Sequence, residues 1–198
     1  ERVVTVLFAD IAGYSTLSEA LSPSEVIGLL NQYFERMTVP ILARNGMINE
    51  FEGDGILAIF GAPIDLPGHA TAGVLAAKAM LEVVDELNAA WAADGTLATW
   101  RSTGVERLAV RIGVHTGPVV AGNVGTEARI KYAVIGDTVN VASRVENLNK
   151  VLGTHLLVTG ETVRSADDAQ IDLVSMGAHT VHGREAPVEV FGLPNGER

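Results

Sequence analysis

The sequence contains no cysteine. Disulfide staples and thiolate metal centres are excluded, and the absence fits a reducing compartment such as the cytosol. No apolar run approaches the about 18 residues that a membrane-spanning helix needs, and no signal-peptide pattern precedes the strand-like opening Glu1-Arg2-Val3-Val4. Basic residues are outnumbered: 14 Lys and Arg against 24 Asp and Glu leave a net charge of −10. That is the wrong sign for a nucleic-acid surface, because phosphate backbones demand basic patches. A single anionic nucleotide stays compatible where cations gather locally or metal ions bind. Internal repeats and low-complexity stretches are missing, and His69, His115, His155 and His179 show no metal-ligand spacing and read as structural. What is there suits one compact domain, residues 1–198: 47% of the chain is hydrophobic and 19% charged. The missing initiator Met and the immediate entry into a strand suggest a module excised from a longer protein. Its expected location is the cytoplasm, free or as the cytosolic part of a membrane-anchored chain, with no membrane contact of its own.

Strand and helix patterns alternate. Val3 to Phe8 is an apolar strand ending in Asp10, followed by a polar turn, Gly13-Tyr14-Ser15-Thr16. Ser22-Pro23 opens a helix whose stripe of Val26, Leu29, Leu30, Tyr33, Phe34 and Met37 is core. Met47 to Phe51 and Ile56 to Phe60 read as a hairpin with Asp54 at its tip. Leu66 to Trp91 is a second helix, and Ala92 to Gly104 a loop. Strands follow at Leu108 to Val114, Val119 to Val124 and Lys131 to Ile135, then a helix from Thr138 to Val151. Leu156 to Thr159, Ile171 to Met176 and Val188 to Phe191 supply the last strands. The order predicts an α+β sandwich: a ferredoxin-like βαββαβ core elaborated in its C-terminal half.

Polar residues stand out against this pattern in three places. Tyr132 to Arg144 runs a strand into a helix, and Asn140 and Arg144, four residues apart, share a helical face. An amide beside a fixed cation suits a sugar and a phosphate. Asp10 and Asp54 each close an apolar strand, and in a split βαβ sheet the first strand lies beside the hairpin. Two carboxylates meeting there are hard ligands for Mg²⁺ or Mn²⁺, with waters and phosphate oxygens completing the shell. The backbone amides of Ala12, Gly13, Tyr14, Ser15 and Thr16 are candidates to point at phosphates. Taken singly, each Asp reads first as a turn cap, and the Asn/Arg pair is equally an ordinary surface face.

Together these segments resemble a known family. Phe8-Ala9-Asp10-Ile11-Ala12-Gly13-Tyr14-Ser15, Phe51-Glu52-Gly53-Asp54-Gly55 and Val134 to Arg144 look like the class III nucleotidyl cyclase catalytic domain. Gly113 to Val119 and Val181 to Phe191 extend the likeness over nearly the whole chain. The resemblance implies a cyclase that converts a nucleoside triphosphate to a 3′,5′-cyclic nucleotide and pyrophosphate. It implies two Mg²⁺ or Mn²⁺ ions held by Asp10, Asp54 and the carbonyl of Ile11. Asn140 would position the ribose and Arg144 would stabilise charge at the α-phosphate. In this family the metal carboxylates and the Asn/Arg pair come from different subunits, so a head-to-tail homodimer with two equivalent sites is expected.

The base-reading positions depart from the adenylyl pattern. Adenylyl members usually have Lys at the position of Glu50 and Asp or Thr at that of Ala133; guanylyl members have Glu and Cys. A carboxylate at Glu50 suits the donors of guanine N1 and N2 and opposes the acceptor at adenine N1, so GTP is favoured over ATP. His182 and Arg184 stand near the place of a family phosphate-binding Lys, and Arg129 and Lys131 add positive potential. An adenylyl cyclase with unusual base recognition and a catalytically silent, dimerising nucleotide sensor are the alternatives.

Overall fold

The computed structural model describes residues 1–100, 104–126, 128–181 and 186–194. β1 (Arg2–Ile11) is followed by α1 (Tyr14–Ala20) and α2 (Pro23–Leu42), then the hairpin β2 (Met47–Glu52) and β3 (Gly55–Phe60). α3 (His69–Ala93), α4 (Thr96–Trp100), β4 (Val110–Thr126), β5 (Arg129–Ile135) and α5 (Asp137–Leu152) come next. The chain closes with β6 (Leu156–Thr159), α6 (Gly160–Ser165), α7 (Asp168–Ile171), β7 (Val174–His179) and β8 (Val188–Gly192).

The strands form a mixed sheet in the order β2-β3-β1-β4-β6-β8-β7, with β5 added on β4. Neighbours among its first four strands are antiparallel, in the ferredoxin-like arrangement expected from the sequence. Alternation along β1 divides the two faces. Leu7, Ala9 and Ile11 enter the main core beneath α2 and α3, whereas Val4, Val6 and Phe8 face a second cluster with Val134 and Ala142. Asp10 continues that second series. α2 begins with a complete capping box, Ser22 and Glu25 satisfying each other's backbone amides, and with Pro23 in its first turn. Among the described residues no helix is long and apolar enough to cross a membrane.

Four sequence expectations are corrected. The turn after β1 condenses into α1 from Tyr14, because Gly13 adopts the left-handed conformation (φ 76°) that reverses the chain at once. The loop after α3 contains α4, folded back by an edge-on contact of Trp100 with Trp91 at 5.2 Å between ring centroids. The two strands expected between Leu108 and Val124 are one, β4: it pairs with β1 as far as Val119, and β5 takes over from Val120. Ile171 ends α7, so the strand expected there begins at Val174.

Candidate active site

β1 and the β2–β3 turn bring the two predicted carboxylates together. The Ile11 amide donates to Asp54 Oδ2 at 2.9 Å, and the Asp54 and Asp10 side chains lie within hydrogen-bonding reach of each other. Burial, then the hydrogen bond and like charge of Asp10, push the Asp54 carboxyl up to about 7 against the opposing pull of the Ile11 amide. Asp10 Oδ1 is buried without a hydrogen-bond partner. Two crowded carboxylates, one oxygen orphaned, fit a hard divalent cation, whose charge would relieve their repulsion. Among the described residues no third His, Cys, Asp or Glu completes such a cluster, which leaves the rest of a shell to carbonyl, water and substrate oxygens.

Two charged residues that the sequence reading missed adjoin this pair. Arg111 stands opposite Asp10 in the β1–β4 register, its Nη2 3.8 Å from Asp10 Oδ2. Its Nε lies 3.2 Å from Glu146 Oε1 on α5, without the alignment of a hydrogen bond. Both are largely enclosed, with side chains 16% and 5% exposed. Burial first, then the Asp10 charge, raises Glu146 to about 7, while Arg111 acts in the other direction. Gly113 makes the approach possible: a Cβ there would stand 2.3 Å from the Glu146 amide nitrogen and 2.5 Å from the Ala142 carbonyl. The available signals were an Arg inside an otherwise apolar strand and a Glu two residues beyond Arg144.

α5 carries the predicted Asn/Arg pair. Gly136 precedes it with no side-chain cap, and the Thr138 hydroxyl ties its first turn to the Pro118 carbonyl at 2.7 Å. Asn140 is exposed, and Arg144 is half-buried with Nη1 lacking a partner. Among the described residues no hydrogen bond or ion pair joins Asn140 or Arg144 to Asp10 or Asp54.

The base-reading candidates gather elsewhere. Glu50 forms an ion pair with Lys131 at 2.6 Å, both about half exposed. Ala133 follows Lys131 by two residues on β5, hence on the same side of that strand. The phosphate-binding candidates divide. The amide of Ala12 is committed to the Ala109 carbonyl at 2.8 Å, which removes it from the expected set, whereas Tyr14, Ser15 and Thr16 form the uncapped first turn of α1 after Gly13. His182 and Arg184 lie outside the described residues. The four remaining histidines are bonded within the fold, to Thr5, Thr159, the Val110 carbonyl and the Met176 carbonyl.

The family model of the adenylate and guanylate cyclase catalytic domain matches residues 1–194. The chain belongs to this class III cyclase family. The cyclase domain is 35% identical over 188 residues to adenylate cyclase 1 of Rhizobium meliloti, covering 95% of the chain and 27% of that protein. It is 40% identical over 164 residues to an adenylate cyclase of Anabaena cylindrica, covering 83% and 31%. The domain thus spans between a quarter and a third of these relatives. Among solved structures, the guanylyl cyclase Cya2 superposes with a TM-score of 0.80 at 32% identity, covering 100% of this chain and 95% of that one. The adenylyl cyclase CyaB from P. aeruginosa gives 0.75 at 29%, covering 99% and 95%. By family the chain is a cyclase catalytic domain, and the solved structures it resembles include both a guanylyl and an adenylyl cyclase.

Proposed function

We propose that residues 1–198 act as a homodimeric guanylyl cyclase. Asp10, Asp54 and the Ile11 carbonyl would hold two Mg²⁺ or Mn²⁺ ions, which when bound supply Lewis-acid activation of the ribose 3′-hydroxyl and charge neutralisation at the triphosphate. Arg111, beside Asp10, is the chain's own cation for phosphate oxygens and joins the Gly13–Thr16 amides in that role. Asn140 orients the ribose, and Arg144 meets the charge that develops on the α-phosphate. Positioning and electrostatic stabilisation are therefore the main terms.

The lack, among the described residues, of any hydrogen bond or ion pair from Asn140 or Arg144 to the acid pair supports assembly of each site from two chains. An exposed apolar face on the β4–β5 arm, formed by Val120, Val124 and Ile135, offers a surface for the second copy.

The observation that carries the guanine assignment is the Glu50–Lys131 ion pair. Guanine presents donors at N1 and N2 to the carboxylate and the O6 acceptor to the ammonium, three complementary contacts. Adenine meets the same pair with two, N6 to Glu50 and N1 to Lys131. That second reading is favoured by the Rhizobium and Anabaena relatives, both of them adenylate cyclases by name. Product detection from equal ATP and GTP, with Mg²⁺ and Mn²⁺ and across a protein-concentration series, decides it. Cyclic GMP is expected in excess, with specific activity rising with concentration; predominance of cyclic AMP selects the second reading.

A further inference from the structure

Across the span where the two strands pair, β2 carries one residue more than β3. Met47 and Ile48 pair with Ile59 and Ala58, Glu50 to Glu52 pair with Leu57 to Gly55, and the register shifts at Asn49 between these two runs. The packing on either side shows the same break in phase. Ile48 packs on the main core, and Phe51 stacks on Phe34 of α2 with ring centroids 4.4 Å apart. In a regular strand, residues three apart face opposite sides of the sheet, so both can meet the α2 face only because Asn49 is extra. Glu50 is set opposite Leu57, on the face where the second cluster and the arm lie.

The bulge also bears on distance. Neighbouring strands lie about 4.8 Å apart, so β2 and β4, separated by β3 and β1, stand roughly 14 Å apart across a flat sheet. Yet Glu50 reaches Lys131, on the strand that pairs with β4, at 2.6 Å. The arm covers part of this gap by folding Ala121, Tyr132 and Val134 onto the sheet. A bulge bends its strand and increases the local twist, which is a means of bringing the sheet edge toward the arm. The Asn49 Oδ1 atom is buried with no donor, and the exocyclic amino group of a purine is such a donor.

We infer that Asn49 is a specificity-positioning residue, whose bulge presents the Glu50 carboxylate to the purine edge in partnership with Lys131. The inference rests on the base-reading role proposed for Glu50. Deletion of Asn49 is the direct test, because it leaves the Ile48/Ala58 and Glu50/Leu57 pairs consecutive and removes the bend together with the side chain. Asn49→Ala tests the side chain alone and decides the matter if the deletion does not fold. Asn49→Ser keeps a short polar residue in the bulge. The measurement is kcat/KM for GTP and for ATP, with Glu50→Ala as the reference and the Mn²⁺ dependence followed in parallel.

Deletion of Asn49 and Asn49→Ala should move the GTP:ATP ratio in the direction set by Glu50→Ala, by about 5- to 10-fold and mainly through KM. Asn49→Ser should restore the original ratio, and the Mn²⁺ dependence should not move. The inference is overturned if Glu50→Ala shifts the ratio while both Asn49 variants keep it within about twofold, or if they depress both substrates equally. If Glu50→Ala itself leaves the ratio unmoved, the base-reading role of Glu50 falls, and this inference with it.

Discussion

The acid-pair half-site and the α5 half-site are built on opposite principles. Asp10 and Asp54 are partly exposed, yet their charges are answered within the chain, through the enclosed Arg111 and Glu146 and the Ile11 amide. On α5, Asn140 lies exposed and the half-buried Arg144 carries a buried nitrogen without a partner. Crowded carboxylates with an orphaned acid oxygen mark the first region, and an unpartnered guanidinium nitrogen marks the second. These opposite charges with unused bonding atoms are what the proposed site shared between two chains would bring together.

The largest effect should come from breaking each half separately. Asp54→Asn and Arg144→Ala should each lower turnover about 10³-fold, the scale of losing a transition-state contact or more, while the dimer persists in sedimentation. Co-expression of the two variants should restore activity, because one of the two sites in a mixed dimer then has both intact halves. Absence of recovery would place both halves in one chain.

Packing comes next. Gly113→Ala drives a methyl group into the α5 backbone and should cost about 3 kcal/mol by overpacking, visible as a loss of thermal stability. Equal stability would mean that α5 can shift, and Glu146 with it.

Protonation gives a smaller effect whose sign is fixed. Asp54 titrates near 7 in the fold and near 3.8 when unfolded, so between these values the folded state holds the extra proton. Metal-free stability should therefore be greatest at the acidic side of this window, fall as pH rises through it and level off above about 7. Glu146 acts in the same sense between 4.5 and about 7. Mn²⁺ should raise the melting temperature more at pH 8 than at pH 6, by about 2–4 °C for this partly exposed pair. Asp54→Asn should erase the difference.

The smallest effect on stability belongs to Lys131→Met. An ion pair half exposed on both sides contributes under about 1 kcal/mol, so the melting temperature should hardly move. The GTP:ATP preference should move nonetheless, and an unchanged preference would confine Lys131 to the surface.

The legible parts of the site were those made by short stretches of chain. Asp10 closes a strand, Asp54 occupies a tight turn, and Asn140 and Arg144 share a helix face by periodicity alone. Arg111 and Glu146 were not legible, because they are 35 positions apart in the sequence and meet only where Gly113 lets α5 descend onto β4. The spent Ala12 amide was hidden for the same reason, its acceptor being Ala109. In the fold, the ferredoxin-like order followed from alternating apolar periods. The unbroken β4 did not, because Gly117-Pro118 reads locally as a break and only pairing with β1 carries the strand through it.

By itself the sequence determined the family, through its motifs, and the placement of the acid pair and the Asn/Arg face, since strand ends, turns and helical spacing are local consequences of residue type. Tertiary structure decided which charges compensate the acid pair and which way Glu50 points. Those depend on a register shift of one residue and on contacts between distant strands, and neither is encoded in any short stretch of chain.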